Sequence, residues 1–291
     1  MTPSGAAAIA ATKAGTLIEA LPYIRSYRGQ TVVVKIGGEA LDEDHKARIV
    51  AEDLALMALV GIHLVVVHGG GPQVSEAMER SGISPRFVGG LRVTDDESIE
   101  LVRRVLVGSI NADLVGRLCA AGLSAVGLSG FDGSLIVAER TGGPAGEDIG
   151  RVGRVHGIGA EILATLLEAG HTPVVASVAP GSDGAPLNVN ADEVAGAVAG
   201  TLRAAKLVFL TNVEGLYRDL GDAGSLISEL KVDELEGMIA GLSDGMRPKA
   251  GAAAAALRSG VGKVHILDGR TDHALLLEVF TDEGIGTQVI S

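Results

Sequence analysis

Two periodicities alternate along the chain. Thr31-Val32-Val33-Val34-Lys35 is β-branched up to its final lysine and is halted by Gly37-Gly38, which predicts a buried strand. Residues 44–60 carry apolar positions at the helical interval, and 64–67 is a second wholly apolar strand. Residues 72–81 read as a helix with Pro72 suited to its first turn. A long helix opens at Thr94-Asp95-Asp96-Glu97. Thr94 is its expected N-cap with Glu97 three residues on, and Ile99, Val102, Leu106 and Ile110 share one face. Strands are expected at 125–128 and 135–137 around a turn at 130–134, then a loop at 142–150. Beyond it, helices at 160–169, 191–202, 232–239, 248–258 and 272–280 alternate with strands at 173–177, 207–210 and 264–267. A short strand falls near Gln288-Val289.

Strands alternating with helices predict an α/β chain whose mostly parallel sheet is covered on both faces. The Pro/Gly/Ser-rich stretch 179–186 marks a boundary between an N-terminal lobe, 30–185, and a smaller C-terminal lobe, 186–291. Residues 1–29 form an extension in which Leu17, Leu21 and Ile24 fall at i, i+4 and i+7. That apolar stripe wants a partner, and Pro22 inside it is expected to kink the helix.

Composition narrows the function. Hydrophobic residues make up 47%, which argues against disorder. The net charge of −12, with no Lys/Arg cluster, argues against nucleic acid as a partner. Aromatics are 2% with no Trp, so stacking platforms are scarce. Cys119 is the single cysteine and cannot pair internally, which fits a reducing cytoplasm. Residues 54–75 lack Asp, Glu, Lys and Arg, but Gly61-Ile62-His63 and Gly69-Gly70-Gly71-Pro72 break the run, so no membrane anchor is expected. The Ala-rich start lacks the basic region of a signal peptide.

Three polar or glycine-rich clusters end strands: Lys35-Ile36-Gly37-Gly38, His68-Gly69-Gly70-Gly71 and Thr211-Asn212-Val213-Glu214-Gly215. Ligands gather at the carboxyl ends of parallel strands, and open backbone N–H groups suit phosphate or carboxylate oxygens. Three such loops in register with a strand-end lysine indicate an anion site. The spacing is not that of a P-loop, and Gly157-Ile158-Gly159 reads as a turn before a helix rather than a dinucleotide fingerprint. Lys35 ends an apolar strand and Lys249 starts an Ala-rich helix. Positive charge on both sides of a migrating phosphoryl group is what its transfer needs. Asp192, in Asn188-Val189-Asn190-Ala191-Asp192, could hold both lysines, and Arg92 could clamp a carboxylate bidentately. His63, His156, His171 and His265 flank strands without zinc-site spacing. A hydrolase alternative would use Ser243 of Gly241-Leu242-Ser243-Asp244-Gly245 with Asp268, His273 and the His68-Gly69-Gly70-Gly71 loop. It suffers because residues 232–239 read as a helix where a nucleophile elbow needs a strand.

The chain resembles the amino-acid kinase family from about Ala14 onward. The likeness rests on the order and spacing of Val32–Gly38, Val67–Pro72, Gly90–Thr94, Asn188–Asp192, Leu210–Tyr217 and Gly245–Lys249. It implies a three-layer αβα sandwich and ATP-dependent phosphorylation of the side-chain carboxylate of N-acetyl-L-glutamate, in arginine biosynthesis. Lys35 and Lys249 would stabilise the transition state and Asp192 would organise them. Gly70, Gly71, Arg92 and Asn188 would hold the acceptor, whose binding falls mainly to the N-terminal lobe. Gly37, Gly38, Thr211, Asn212, Gly215 and Tyr217 would face ATP, whose binding falls mainly to the C-terminal lobe, with Mg²⁺ carried on the phosphates and no metal site of the protein's own. Asn212 stands where the family usually has Asp, and Phe131 where many relatives have Lys. A related N-acylated acceptor such as an aminoadipate derivative remains open. Arginine-inhibited members carry a kinked N-terminal helix that joins dimers into a hexamer, a trimer of dimers. Here L-arginine would then bind between that helix and residues 264–286, with Glu278 and Tyr23 as candidate contacts.

Overall fold

The computed structural model describes residues 5–38, 43–219, 221–281 and 284–291. An N-terminal helix, α1 (Gly5–Tyr27), runs through Pro22 and leads into β1 (Thr31–Ile36). Then follow α2 (Asp44–Leu59), β2 (His63–His68), α3 (Gly71–Arg80) and a small hairpin, β3 (Phe87–Val88) with β4 (Leu91–Arg92). Helix α4 (Asp96–Arg103) passes through a π-helical stretch, Arg104–Asn111, into α5 (Ala112–Ala120). The middle of the chain forms β5 (Ala125–Leu128), β6 (Ile136–Arg140), β7 (Val152–Ile158), α6 (Glu161–Glu168), β8 (Thr172–Ala176), β9 (Val178–Pro180) and β10 (Pro186–Val189). The rest is α7 (Ala191–Thr201), β11 (Lys206–Thr211), β12 (Glu229–Lys231), α8 (Val232–Met238), α9 (Arg247–Arg258), β13 (Lys263–Asp268), α10 (Ala274–Phe280) and β14 (Thr287–Ile290).

The main sheet has the order β12-β14-β13-β11-β1-β2-β8-β5. All its pairings are parallel except β13 with β14, as the alternation predicted. Strand periodicity divides its residues between two cores. Val33, Val65, Val67, Leu207 and Phe209 meet α6, α7 and α9 on one face. Val32, Val34, Leu64, Val66, Val208 and Leu210 meet α2, α5 and α10 on the other. Each fully buried aliphatic side chain contributes roughly 1.5–3 kcal/mol, so a slip of one residue, which would exchange the faces, is strongly disfavoured. The smaller sheet, β6-β7-β10-β9, lies against the first core.

Two local expectations are corrected. Asp95, not Thr94, caps α4, its carboxylate accepting the Ser98 N–H at 2.8 Å. Thr94 is buried beside Gly150, and its hydroxyl donates to the Arg92 carbonyl. Gly157 and Ile158 end a strand instead of forming a turn, because they pair with Val137 and Ile136 of β6. Residues 54–75 divide between the end of α2, β2 and the start of α3. No helix among the described residues is long and apolar enough to cross a membrane.

Candidate active site

β1 lies between β2 and β11, with Ile36 opposite both His68 and Leu210. The three predicted loops therefore emerge side by side. Lys35 has the parity of Val33 and turns toward the face covered by α7 and α9. Asp192 is in the first turn of α7, where Asn190 caps the helix by accepting the Asp192 and Glu193 N–H groups. Lys249 is in the first turn of α9, and its ammonium sits 6.0 Å from the centre of the Phe209 ring, beneath Lys35 in register. Packing of the two helices unites the three charges. Lys35 Nζ is 2.8 Å from one oxygen of Asp192, and Lys249 Nζ donates to the other at 2.8 Å. Burial opposes ionisation of Asp192, but the two ammonium charges overcome it and hold the carboxyl below its ordinary range. Burial lowers the Lys249 ammonium from its ordinary value, against the pull of Asp192.

Lys35 is the junction of two cavities. The first, about 200 Å³, is lined by Gly69–Gly71, Arg92, Asn188 and Asp192 under the β3–β4 hairpin. Arg92 is buried there: its guanidinium donates to the Gly71 carbonyl and the Ser75 hydroxyl, both at 2.8 Å, and stacks 4.6 Å from the centre of the Phe87 ring. These contacts fix the planar group in place before any ligand arrives. Asn188 donates to Thr94 Oγ1 at 3.3 Å. The second cavity, about 150 Å³, is lined by Gly37, Gly38, Thr211, Asn212 and Lys249. Gly215 and Tyr217 do not line it. Gly215 lies against Thr287 of β14, and the Tyr217 hydroxyl donates to Glu214. Among the described residues no cluster of His, Cys, Asp and Glu is placed to hold a metal ion.

The chain as a whole has known relatives. The model of the amino acid kinase family matches residues 30–268, from β1 through β13. The chain belongs to the amino acid kinase family. The acetylglutamate kinase of Symbiobacterium thermophilum is 50% identical over 285 residues, 96% of this chain and 97% of that one. A structure of N-acetylglutamate synthase from Neisseria gonorrhoeae, complexed with coenzyme A and N-acetyl-glutamate, is 30% identical with a TM-score of 0.85. It covers 96% of this chain, which spans only 63% of the synthase chain. Carbamate kinase from Giardia lamblia, 18% identical over 90% of this chain and 99% of its own, shares the fold with a TM-score of 0.65.

Other candidate positions in this amino acid kinase fall away from the two cavities. Glu278 on α10 is buried and already partnered: Lys206 donates to its Oε1 at 3.0 Å and His265 Nδ1 lies 2.6 Å from the same oxygen. Its Oε2 accepts the Ile285 N–H at 3.3 Å. Tyr23 is half-buried on α1, one turn before Tyr27, whose ring lies 5.3 Å from the Lys206 ammonium. The hydrolase constellation does not assemble. Ser243 is exposed after a short 3₁₀ turn, Asp268 binds Arg270, and His273 pairs with Asp53. Sequence reasoning singled out His68 only within its glycine loop and gave no role of their own to Ser177, Asn111 or Asn190. Asn190 and Ser177 line the first cavity, and Asn111 is a buried polar residue beside Ile110 on an otherwise apolar helix face, the one signal that could have flagged it.

Proposed function

We propose that this amino acid kinase transfers the γ-phosphoryl group of ATP to the side-chain carboxylate of N-acetyl-L-glutamate, giving an acyl phosphate for arginine biosynthesis. The observation that carries this is Lys35 at the wall between the two cavities, tied through Asp192 to Lys249. The Arg92 cavity takes the acceptor, with Arg92 on its α-carboxylate and Asn188 and the Gly70 and Gly71 N–H groups around the rest. The neighbouring cleft takes the phosphates of ATP against Gly37, Gly38, Thr211 and Asn212. Mg²⁺, brought in on those phosphates, adds positive charge to the transferring group.

A carboxylate is already nucleophilic at neutral pH, so no base is needed. Its oxygen bonds to the γ-phosphorus as the bond to the β–γ bridging oxygen breaks, and ADP leaves with that electron pair. Lys35 and Lys249 sit where negative charge spreads over the phosphoryl oxygens, and Asp192 keeps both ammonium groups in place beforehand. The lobes 30–185 and 186–291 serve mainly acceptor and nucleotide respectively, with Asn188 and Asp192 reaching the acceptor side, and Gly37 and Gly38 the nucleotide side, from across that boundary.

Regulation follows the same reading. Leu17 and Ile18 of α1 are 70% and 65% exposed, an apolar surface suited to a second copy of the helix and to a hexamer built from dimers. L-arginine would inhibit by binding between α1 and α10, its guanidinium approaching Glu278. The enzyme would work in the cytoplasm.

Purified protein incubated with ATP, Mg²⁺ and hydroxylamine tests the assignment, since hydroxylamine traps acyl phosphates. N-Acetyl-L-glutamate should give hydroxamate at a higher kcat/KM than the N-acetyl-aminoadipate homologue. The reverse order would move the substrate one methylene up, and hydroxamate from neither would overturn the reading.

A further inference from the structure

The imidazole of His68 is completely buried at the end of β2, and no step above uses it. Both ring nitrogens are engaged. Nε2 lies 3.0 Å from Asn111 Nδ2, and Nδ1 lies 2.9 Å from the Gly69 carbonyl oxygen. The orientation of the Asn111 amide is set independently, because the same Nδ2 donates to the Val174 carbonyl at 2.9 Å. An amide nitrogen only donates and a carbonyl only accepts. Nε2 is therefore the acceptor, and Nδ1 carries the proton that it gives to Gly69. Burial pushes the imidazole down to about 4, so the ring stays neutral in this tautomer at physiological pH.

The oxygen held by His68 belongs to the Gly69–Gly70 peptide. In a trans peptide the C=O and N–H point in opposite directions, so fixing the Gly69 oxygen aims the Gly70 N–H away from the imidazole. Gly70 lines the acceptor cavity, and its N–H has no hydrogen-bond partner among the described residues. A Cβ on Gly70 would lie 2.2 Å from Ile110 Cδ1, so a side chain there would have to push Ile110 aside. A turn of consecutive glycines restrains its own peptide planes poorly. It needs an outside anchor.

We propose that His68, oriented by Asn111, is a positioning residue that aims the Gly70 N–H at the acceptor during phosphoryl transfer. This rests on the reading of the first cavity as the acceptor site. Loss of one preorganised donor lowers kcat by roughly 10²–10³-fold, and the same scale applies to a donor that is no longer aimed.

Two variants separate positioning from packing. His68→Asn places an amide N–H near the Nδ1 position and keeps the anchor on Gly69. His68→Gln places its amide near Nε2, where Oε1 can accept from Asn111 Nδ2 while no group donates to Gly69. In the hydroxylamine assay, His68→Gln should lose about 10²-fold in kcat with KM for ATP within about twofold of wild type, and His68→Asn should stay within about tenfold in kcat. Equal losses in both variants, or wild-type turnover in His68→Gln, would overturn the role while leaving the acceptor reading intact. No hydroxamate from the wild-type enzyme would instead overturn the acceptor reading. Should either variant fail to fold, ¹⁵N NMR of the wild-type imidazole decides: a neutral ring protonated at Nδ1 supports the proposal, and an Nε2-protonated or exchanging ring refutes it.

Discussion

Lys35 and Lys249 meet across one buried carboxylate, each ammonium 2.8 Å from a different oxygen of Asp192. One anion thus holds two cations in a region nearly closed to water. Such a cluster is stable only while complete. Asp192→Asn should cost about 3–5 kcal/mol, because it strands two buried ammonium groups. Chemical denaturation reads this directly, and an unchanged midpoint would show that water reaches the lysines.

Removing either cation should act on chemistry instead. Lys35→Ala and Lys249→Ala are expected to lower kcat by roughly 10²-fold or more, by analogy with the loss of one preorganised charge donor. Folded variants that retain near-wild-type turnover would remove the lysines from the reaction.

Arg92→Lys should raise KM for the N-acylated acid by about tenfold to a hundredfold, the worth of one or two hydrogen bonds to a charged group. KM for ATP should hardly move, because Arg92 borders only the first cavity. A parallel rise in both constants would make Arg92 a support for the fold, through its bonds to Gly71 and Ser75.

Acid should destabilise the protein partly through His68. Its folded-state value of about 4 lies below the ordinary 6.5, because burial outweighs its bond to Gly69 and the Lys35 charge adds to the effect. Between those values the unfolded chain binds a proton that the folded chain refuses. Stability therefore falls as pH drops from 6.5 toward 4, by roughly 3 kcal/mol from this group. His265, also lowered by burial, acts with the same sign, so the useful comparison is wild type against His68→Asn. The variant should lose less stability over that window; identical pH profiles would contradict the assignment.

Deleting residues 1–27 should leave an active dimer with weaker inhibition by L-arginine. In the single chain, Leu17 and Ile18 face solvent on α1, and α1 packs on α10 beside Glu278. Sedimentation of the full-length protein as a dimer, with activity indifferent to millimolar arginine, would make α1 a simple cap.

Much of this molecule was legible along the chain. The β-branched run ending at Lys35, the glycine stops after β1 and β2, and the Ala-rich helix after Gly245 depend on near neighbours. Side-chain period and turn chemistry therefore fixed the alternation of elements and put three loops at one end of a parallel sheet. In sequence Thr94 and Asp95 are equally good caps for α4, and the choice falls to the distant Gly150, which pairs with Thr94 and buries it. Only tertiary structure decided which charges meet. Strand parity turns Lys35 to the face where α7 and α9 pack, and that packing closes Asp192 between two lysines. It also set Asn111 against His68, and Lys206 and His265 against Glu278, so that a carboxylate which looked free in sequence is already partnered. Sequence spacing specifies the face of an element on which a side chain lies. Its partner across the core depends on how two faces distant in sequence come together.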